Sequence, residues 1–583
     1  MKHVIAKPIN ILRRITYGLV LAACIGGFAS IAASAAAKAK DVKADVVFRN
    51  GFVYTVDGVR SRAEAFAVKD GKFIAVGSND DMKAVTGKGT KTANLKGKMV
   101  MPGLVDAHIH PVRGALTSLG VAFPVTASID EIKAAVKKYM ADNKVKAGDW
   151  VEGAKWGTEL AQQLKASMLD EIAPNNPVYL HDFTNHLAWV NSKALEAAKI
   201  TKDTPDPPGG VIERDSSGNP TGVLHDSAIA PIAAAMPSPT QDMLQERARW
   251  IFDKLNSYGV TSIATAQLNV ERLKAYRALE SQGKLTVRIK GHWDWNTRYA
   301  TKSLEEMAKA FDTREKRGPK SPLIDPDGVK IYTDGVPDGH GSPYIEPYVD
   351  APTFGTQHID EPTLSTWVLR FDAMGLQVMM HAVGDMAVRH SLNALEATRK
   401  ANGKGPHHHL AHVAYIHPED LPRLADLNIS TEISPYQLWV PSPAATAWTK
   451  LLGRQRMDRS FGVIGSMIKA GANLTYGSDY DNVPEPDPWF AMEGMITRKN
   501  PAHPEYGSLN PAERIDVETA IEVFTINGAY NIEAEDATGS IEVGKSADFI
   551  VLNQNLLEIP PQKIHKTKVL QTVFQGKTVY KRK

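Results

Sequence analysis

The sequence predicts an α/β protein built around a (β/α)8 barrel, also called a TIM barrel. Eight short runs of β-forming residues follow one another from about residue 100 onward. Stretches with helical periodicity lie between the later runs. Nothing in the chain resembles the Gly-rich dinucleotide turn of a doubly wound open sheet, which is the alternative α/β architecture. The other segments predict a small β-sandwich built from the N- and C-terminal segments, and a subdomain inserted after strand 1.

The predicted strands are short apolar runs bounded by turn residues, as expected for buried parallel strands. One predicted helix carries Pro in its first turn, where Pro is favoured. The predicted helices cover Thr363–Met374, Ala387–Ala401, Pro418–Leu427 and Phe461–Ala470. The predicted strands cover Met101–His108, Val260–Ala264, Val287–Trp293, Val329–Asp334, Gln377–His381, His408–Val413, Ile429–Ser434 and Leu474–Asp479.

Two β-rich regions lie outside this alternation. The first comprises residues 42–100 and contains Asn-Gly and Asp-Gly turns of the hairpin type. The second comprises residues 536–583, with strands expected over Ala547–Leu552 and Val569–Tyr580. Because neither region is long enough to make a good core alone, we expect them to pair into one β-sandwich beside the barrel.

The barrel is expected to cover residues 101–535 and to contain an insertion at about residues 125–240. This span is far longer than an ordinary βα loop, and it has its own helix pattern over Ile129–Asn143 and a strand over Val178–Leu180. Loops after barrel strands lie at the C-terminal face, where active sites of such barrels are found. The insertion is therefore a candidate lid.

Composition places the chain among ordinary globular proteins. The 583 residues are 43% hydrophobic, 23% charged and 7% aromatic, which argues against disorder, collagen or coiled coil for most of the chain. The chain has 68 basic and 65 acidic residues, and residues 1–35 hold four of the basic ones and no acidic one. The near-neutral remainder lacks the basic surface of a nucleic-acid-binding protein. We expect a small-molecule substrate, and the sequence does not indicate an oligomeric state.

The first 35 residues have the pattern of an export signal. Residues 1–14 are basic, and residues 15–35 are apolar or small and end in an Ala-Ser-Ala cleavage-type sequence. We expect a signal peptide and a mature protein in a bacterial periplasm. The alternatives are an uncleaved membrane anchor, a lipoprotein with its lipid on Cys24, and twin-arginine export. Cys24 is the single cysteine, so the body is expected to have no disulfide and no thiolate metal site.

Metal-capable side chains fall at the ends of five predicted strands. His108 and His110 are two positions apart in an extended segment, so their side chains point to the same side. Barrel topology brings the ends of all strands to one mouth. Imidazole and carboxylate ligands suit Zn²⁺, Mn²⁺ or Fe²⁺. The candidates are His108, His110, Lys330, His381, His412 and Asp479.

These residue types favour hydrolysis. A bound metal lowers the pKa of its water to roughly 7. Asp479 can orient that water, take its proton and later give the proton to a leaving nitrogen. Lys330 is unusual because an ammonium should not approach a metal, whereas a lysine carbamylated by CO₂ becomes a carboxylate that can bridge two metals. Each candidate alone has an ordinary structural explanation, but such side chains together at the barrel ends favour a site.

Longer motifs surround these candidates. They are Met101-Pro-Gly-Leu-Val-Asp-Ala-His-Ile-His110, His186-Leu-Ala-Trp-Val-Asn191, Val329-Lys-Ile-Tyr-Thr-Asp-Gly335, His381-Ala-Val-Gly-Asp-Met-Ala387, Leu410-Ala-His412, Gly477-Ser-Asp479 and Gly544-Lys-Ser-Ala-Asp-Phe549. With these motifs the chain resembles the amidohydrolase superfamily, and within it amidohydrolase family 3, the YtcJ-like group of metal-dependent hydrolases. The resemblance runs from about residue 45 to residue 580.

The resemblance implies hydrolysis of a non-peptide C–N bond, typically in an amide or formamide. It implies a carbamylated Lys330 that bridges two Zn²⁺ ions, and Asp479 as general acid and base. It also implies that His186, in the insertion, lies on the substrate side of the site. The metal ligands that it implies are His108, His110, Lys330, His381, His412 and Asp479.

Two further residues are candidates for substrate contact. His340 follows the fourth strand, where the chain departs from the commoner small-residue run of the family, and Trp156 lies in the insertion. The alternatives are a solvated loop histidine and ordinary aromatic packing. Other functions also stay open: a mononuclear deaminase that does not need Lys330, an ester or lactone hydrolase, and a non-catalytic metal-binding periplasmic protein.

Overall fold

The structure is a computed structural model that describes residues 42–182, 186–207, 210–295, 303–434, 443–483 and 485–583. The predicted signal peptide and the lipid site at Cys24 lie outside these residues. Pro208 and Gly209 of the insertion also lie outside them. No helix in the described ranges is both long and apolar enough to cross a membrane.

Eight parallel strands form the centre of the molecule and confirm the predicted fold class. Each strand pairs with the next one along the chain. The barrel nearly closes where Asp479 N donates a hydrogen bond to His108 O at 2.8 Å. Every one of these strands overlaps a predicted strand. Named β1 to β8, they are Leu104–Ile109, Val260–Leu268, Arg288–Trp295, Ile324–Tyr332, Gln377–Ala382, His409–His412, Ser430–Ile433 and Asn473–Tyr476.

Helices surround the barrel, and side-chain caps fix where several of them begin. Asp360, for example, accepts a hydrogen bond from Thr363 N at the start of the helix before β5. The α-helices of the barrel region are Pro111–Thr117, Gln241–Tyr258, Val270–Ser281, Leu304–Ala308, Arg314–Arg317, Glu361–Ala373, Asp385–Asn402, Leu421–Asp426, Pro443–Leu452, Arg454–Ser460, Ile464–Lys469, Pro488–Thr497, Val517–Phe524 and Ile526–Asn531.

The start of β1 differs from its prediction. The predicted strand Met101–His108 is divided at Gly103, and the segment before it, Met99–Pro102, pairs with Phe549–Leu552 in another sheet. A Cβ atom at Gly103 would lie 2.2 Å from Thr261 Oγ1. Only glycine therefore lets the chain pass this close to β2 as it crosses from one sheet to the next.

The two chain ends form one β-sandwich, as predicted. The four-stranded sheet contains Val46–Arg49, Ala65–Lys69, Lys72–Gly77 and Lys91–Asn94. The six-stranded sheet contains Phe52–Tyr54, Arg62–Ala63, Met99–Pro102, Phe549–Leu552, Val569–Phe574 and Lys577–Lys581. Residues of both ends share a core, in which the ring centroids of Phe66 and Phe549 are 4.9 Å apart. The sandwich therefore depends on both ends of the chain.

The insertion after β1 has its own sheet and its own apolar core. Its longest helix begins at a capping box formed by Ser128 and Glu131. Its helices are Ile129–Asp142, Ala166–Asp170, Ser192–Ala197 and Ala230–Ala235. Its six strands are Val121–Ala122, Val151–Trp156, Val178–Asp182, Leu187–Val190, Gly210–Arg214 and Pro220–Asp226.

Candidate metal centre and active site

Three of the predicted ligands form a compact cluster at the C-terminal mouth of the barrel. His108 is the penultimate residue of β1, His412 ends β6 and Asp479 follows β8. One ligand atom from each lies within 4.8 Å of the others, and all three residues are buried. The ring centroids of His108 and His412 are 4.7 Å apart. The topology thus brings together side chains that are distant in the sequence.

His110 and Lys330 border this cluster. The Nε2 atom of His110 lies 3.3 Å from Asp479 Oδ1. The Nζ atom of Lys330 lies 3.5 Å from His108 Nε2, and both groups are fully buried. Burial is the main influence on the Lys330 amine and lowers its pKa to about 8, although nearby carboxylates act in the opposite direction.

His381 is held in place by a buried carboxylate. Asp334 Oδ1 lies 2.8 Å from His381 Nδ1, and Asp334 Oδ2 accepts hydrogen bonds from Val383 N and Gly384 N at 3.0 and 2.8 Å. The ring centroid of His381 is 4.6 Å from that of His412. In the tautomer in which Nδ1 donates to Asp334, Nε2 keeps the lone pair that a metal would need.

The clearest indication of a cation site is Asp479 Oδ1. This buried atom makes no hydrogen bond of ordinary geometry to the described residues, although Nε2 of His110 and of His108 lie 3.3 and 3.6 Å away. Burial acts to raise the pKa of Asp479, but its interaction with His110 is the largest influence in the opposite direction, and the pKa falls below its usual value. An ionised oxygen among imidazole nitrogens is a donor set that fits a divalent metal such as Zn²⁺.

The histidines of the site are kept neutral. Burial is the largest influence on each ring, and it lowers the pKa of His110 to about 4 and that of His412 to about 3. It lowers the pKa of His108 well below the usual value as well. Neutral imidazole is the form that binds metals. These rings therefore need not lose a proton when a metal binds at neutral pH.

The sequence analysis missed Glu432, a fully buried carboxyl on β7. Its Oε2 accepts a hydrogen bond from His412 N at 3.0 Å and lies 3.3 Å from His108 Nδ1. Ser434 Oγ donates to Oε1 at 2.9 Å. Burial raises the pKa of Glu432 well above its usual value. A glutamate in the middle of the predicted buried strand Ile429–Ser434 was the signal that could have identified it.

The insertion brings His186 to the mouth of the barrel. Its Nδ1 lies 2.8 Å from Asp226 Oδ1 of the same subdomain. A Cβ atom at Gly335 would lie 3.1 Å from His186 Cε1, so the ring lies against the loop after β4. Gly335 directly follows Asp334, which holds His381. A substrate contact by His186 stays a prediction.

The structure does not bring His340 or Trp156 to the cluster. His340 Nε2 pairs with Asp350 at 3.1 Å, and its ring centroid lies 4.5 Å from that of Tyr348 in the same loop. Trp156 is fully buried in the core of the insertion, where its Nε1 donates to Leu180 O at 2.9 Å. The contacts of both side chains are local, and a role of either in substrate binding stays a prediction. Sequence alone could not separate these roles, because a core and a pocket wall both favour large side chains.

Comparison with known proteins gives consistent results. The model of a family described as the amidohydrolase family matches residues 91–580. The putative amidohydrolase YtcJ of Bacillus subtilis (strain 168) is 30% identical over 550 residues, which cover 92% of this chain and 99% of that protein. The N-substituted formamide deformylase of Arthrobacter pascens is 26% identical over 549 residues, which cover 92% and 98%. A metal-dependent hydrolase of Pyrococcus horikoshii OT3 shares the fold with a TM-score of 0.71 at 22% identity, covering 88% of this chain and 99% of that one.

Proposed function

Since the chain belongs to the amidohydrolase family, whose members are metal-dependent hydrolases, we propose that it hydrolyses a non-peptide C–N bond in an amide or formamide. The observation that carries this proposal is the buried cluster of His108, His412 and Asp479, with its unbonded Asp479 Oδ1. The relative from Arthrobacter pascens, named as an N-substituted formamide deformylase, supports this choice of bond.

In this proposal the chain's own residues divide the work. A bound divalent metal would supply a Lewis acid that polarises a carbonyl and acidifies water. Asp479 has a pKa below its usual value, so it starts as a base, holds a proton during the reaction and returns it to the leaving nitrogen. Asp334 orients the ring of His381, and Glu432 supports His108 and His412. His186 contacts the substrate. The residues that would hold metal are His108, His110, His381, His412 and Asp479.

We propose two Zn²⁺ ions bridged by a carbamylated Lys330. The pKa of about 8 leaves part of the buried amine unprotonated at neutral pH. That amine attacks CO₂ through its lone pair and loses a proton, which gives an anionic carbamate. Without this change, Lys330 would place an ammonium 3.5 Å from His108 Nε2, where a cation opposes metal binding. The mononuclear deaminase alternative places no such demand on Lys330.

The test combines metal content with a substrate panel. The purified protein is analysed for metal, and wild type and Asp479→Ala are assayed on N-acyl and N-formyl amines, with Asp350→Ala as a control from the neighbouring loop. We expect two metals per chain and, in Asp479→Ala, a loss of activity of roughly a hundredfold or more. One metal supports the mononuclear alternative, and faster turnover of esters or lactones supports the ester-hydrolase alternative. No metal and no activity after reconstitution would contradict the proposal.

We also propose that the protein is exported to the periplasm, because its first 35 residues are basic and then apolar. Membrane attachment would occur only through a lipid on Cys24. Fractionation of cells that express wild type or Cys24→Ser tests both points. Membrane-bound wild type and released Cys24→Ser indicate a lipoprotein, whereas soluble periplasmic protein in both cases indicates an ordinary signal peptide.

A further inference from the structure

We propose that Arg272 determines substrate specificity by binding an anionic group of the substrate, for which a carboxylate is the best match. The inference rests on the proposed hydrolase function and narrows it: the substrate is an N-acyl or N-formyl amine that carries a carboxylate. Arg272 lies in the first turn of helix Val270–Ser281, which directly follows β2. That position is at the C-terminal face of the barrel, on the same side as the metal centre.

A short series of contacts connects Arg272 with the predicted ligands. Its Nη1 donates a hydrogen bond to Gln267 O at 2.6 Å. The side-chain nitrogen of Gln267 lies 3.5 Å from the hydroxyl of Tyr332. The Tyr332 ring centroid lies 5.2 Å from Lys330 Nζ and 6.0 Å from the ring centroid of His381. The side chains of Gln267 and Tyr332 thus lie between the guanidinium and the predicted metal ligands.

The half-buried guanidinium of Arg272 has no carboxylate partner among the described side chains. Its side-chain hydrogen bond there is the one to the carbonyl of Gln267. Burial also lowers the pKa of Arg272, which shows that its charge is partly desolvated. The charge of Asp294 acts on Arg272, but the two side chains form no hydrogen bond. A desolvated guanidinium without a hydrogen-bonded carboxylate gains from binding an anion.

The other charged side chains near Arg272 are not expected to bind the anionic group of a substrate. Arg113 Nε is bonded to Asp481 Oδ1 at 2.8 Å, so its charge is already neutralised. Asp294 lies beside Lys330 in the register of β3 and β4, but its Oδ1 is buried without a hydrogen bond to any described residue. Of these two described arginines, Arg272 is therefore the one without a carboxylate bond and is available to a ligand. Its planar fork matches a carboxylate in a bidentate arrangement.

The test compares two formamides that differ in one group. N-formylphenylalanine carries a carboxylate, and N-formyl-2-phenylethylamine lacks it. We expect wild type to prefer the first by about tenfold or more in kcat/KM, as a charge-assisted contact would give. Arg272→Gln should raise KM for the first substrate and leave kcat/KM for the second unchanged, and Arg272→Lys should keep part of the preference. Arg277→Gln is the control, since Arg277 lies on the same helix and pairs with Glu280 at 3.1 Å.

The possible results distinguish failure of the Arg272 inference from failure of the hydrolase proposal. Equal or better use of the neutral formamide by wild type overturns the inference and leaves the hydrolase proposal intact. If neither formamide is hydrolysed, the proposed function fails for this bond, and calorimetric binding of N-formylphenylalanine decides the role of Arg272. Binding that weakens at least about tenfold in Arg272→Gln supports the inference, and unchanged binding overturns it. Thermal unfolding confirms that each variant is folded.

Discussion

Two buried lysines lie on neighbouring strands of the same barrel in opposite surroundings. Lys290 on β3 bonds Glu533 Oε2 at 2.5 Å and Asp325 Oδ2 at 3.1 Å. Lys330 on β4 lies 3.5 Å from His108 Nε2. Burial lowers the pKa of both amines, but at Lys290 the two carboxylates outweigh burial and raise the pKa, whereas at Lys330 burial prevails. Partners, rather than depth, therefore separate a structural charge from a reactive one.

The two ends of the barrel also differ in whether their buried charged groups are paired. At the N-terminal end, Arg288 at the start of β3 pairs with Asp548 at 3.0 Å and so attaches the barrel to the sandwich. At the C-terminal mouth, Asp479 Oδ1 and Asp294 Oδ1 are buried without a hydrogen bond to any described residue. The charges named at the N-terminal end contribute to stability, while those at the mouth retain bonding capacity for metal and substrate.

The largest expected effect tests the structural lysine. Lys290→Met should lower the free energy of unfolding by about 3–5 kcal/mol, because it removes a buried cation and leaves the partly buried Glu533 carboxylate without its ion pair. Lys320 still contacts Asp325 at 2.8 Å, so Glu533 carries most of the cost. Denaturant unfolding measures the change, and metal content and kcat/KM of the folded fraction should stay unchanged. A stability within error of wild type would contradict the structural role.

Lys330→Met should lower activity without lowering stability, which is the opposite of Lys290→Met. We expect kcat/KM to fall roughly a hundredfold or more, since even residues that only orient metal ligands contribute 10- to 100-fold. The metal-free variant should be as stable as wild type or more stable, because a buried ammonium with little compensation is removed. Metal analysis should show one ion instead of two. Unchanged activity and metal content would reject the carbamate and favour the mononuclear alternative.

Glu432→Gln tests a buried carboxyl that contacts two of the predicted metal ligands. The variant weakens the support of the His108 and His412 rings, so we expect metal affinity to fall about 10- to 100-fold. Competition with a chelator measures the affinity. Glu419→Gln is a matched control, because Glu419 lies in the turn after β6 with its side chain 77% exposed. Equal affinity in both variants would show that Glu432 does not support the metal centre.

The pH dependence of stability should separate the two lysines in the metal-free protein. The folded pKa of Lys330, about 8, is below its usual value of 10.5, so its contribution is fully present above pH 10.5 and is lost as the pH falls through about 8. Lys290 has a raised pKa, so its contribution is present below the unfolded pKa and is lost only as the pH rises through the folded one. Denaturant unfolding should therefore show wild type gaining stability relative to Lys330→Met from about pH 8 upward. A pH-independent difference would contradict the assignment.

The smallest expected effect concerns Trp156. Because Trp156 lies in the core of the insertion, Trp156→Phe should cost about 1 kcal/mol through the lost hydrogen bond to Leu180 O. We expect kcat/KM to remain unchanged for carboxylate-bearing and neutral substrates alike. A changed KM with unchanged stability would indicate instead that Trp156 lines the substrate pocket.

The sequence alone was sufficient for the barrel and for the approximate position of the site. Buried parallel strands appear as short apolar runs, and His108, His381 and His412 fall at or near the ends of such runs. The break at Gly103 was missed because it depends on the approach of Thr261, a contact across strands.

The supporting residues were harder to predict. Glu432 depends on which ring its carboxyl approaches, and that is decided by packing between strands. Arg272 stands in the first turn of an amphipathic helix, where an arginine is usually solvated. The proposed role of Arg272 depends on its having no hydrogen-bonded carboxylate among the described side chains, and no local sequence pattern encodes that.

The pairing of Met99–Pro102 with Phe549–Leu552 has a consequence for biosynthesis. The chain emerges from the ribosome from its N-terminus, so the segment that leads into β1 waits for Phe549–Leu552, which is synthesised after all eight barrel strands. His108 lies only a few residues beyond that segment. The strand pairing next to the His108 segment therefore forms only after all eight barrel strands have been synthesised.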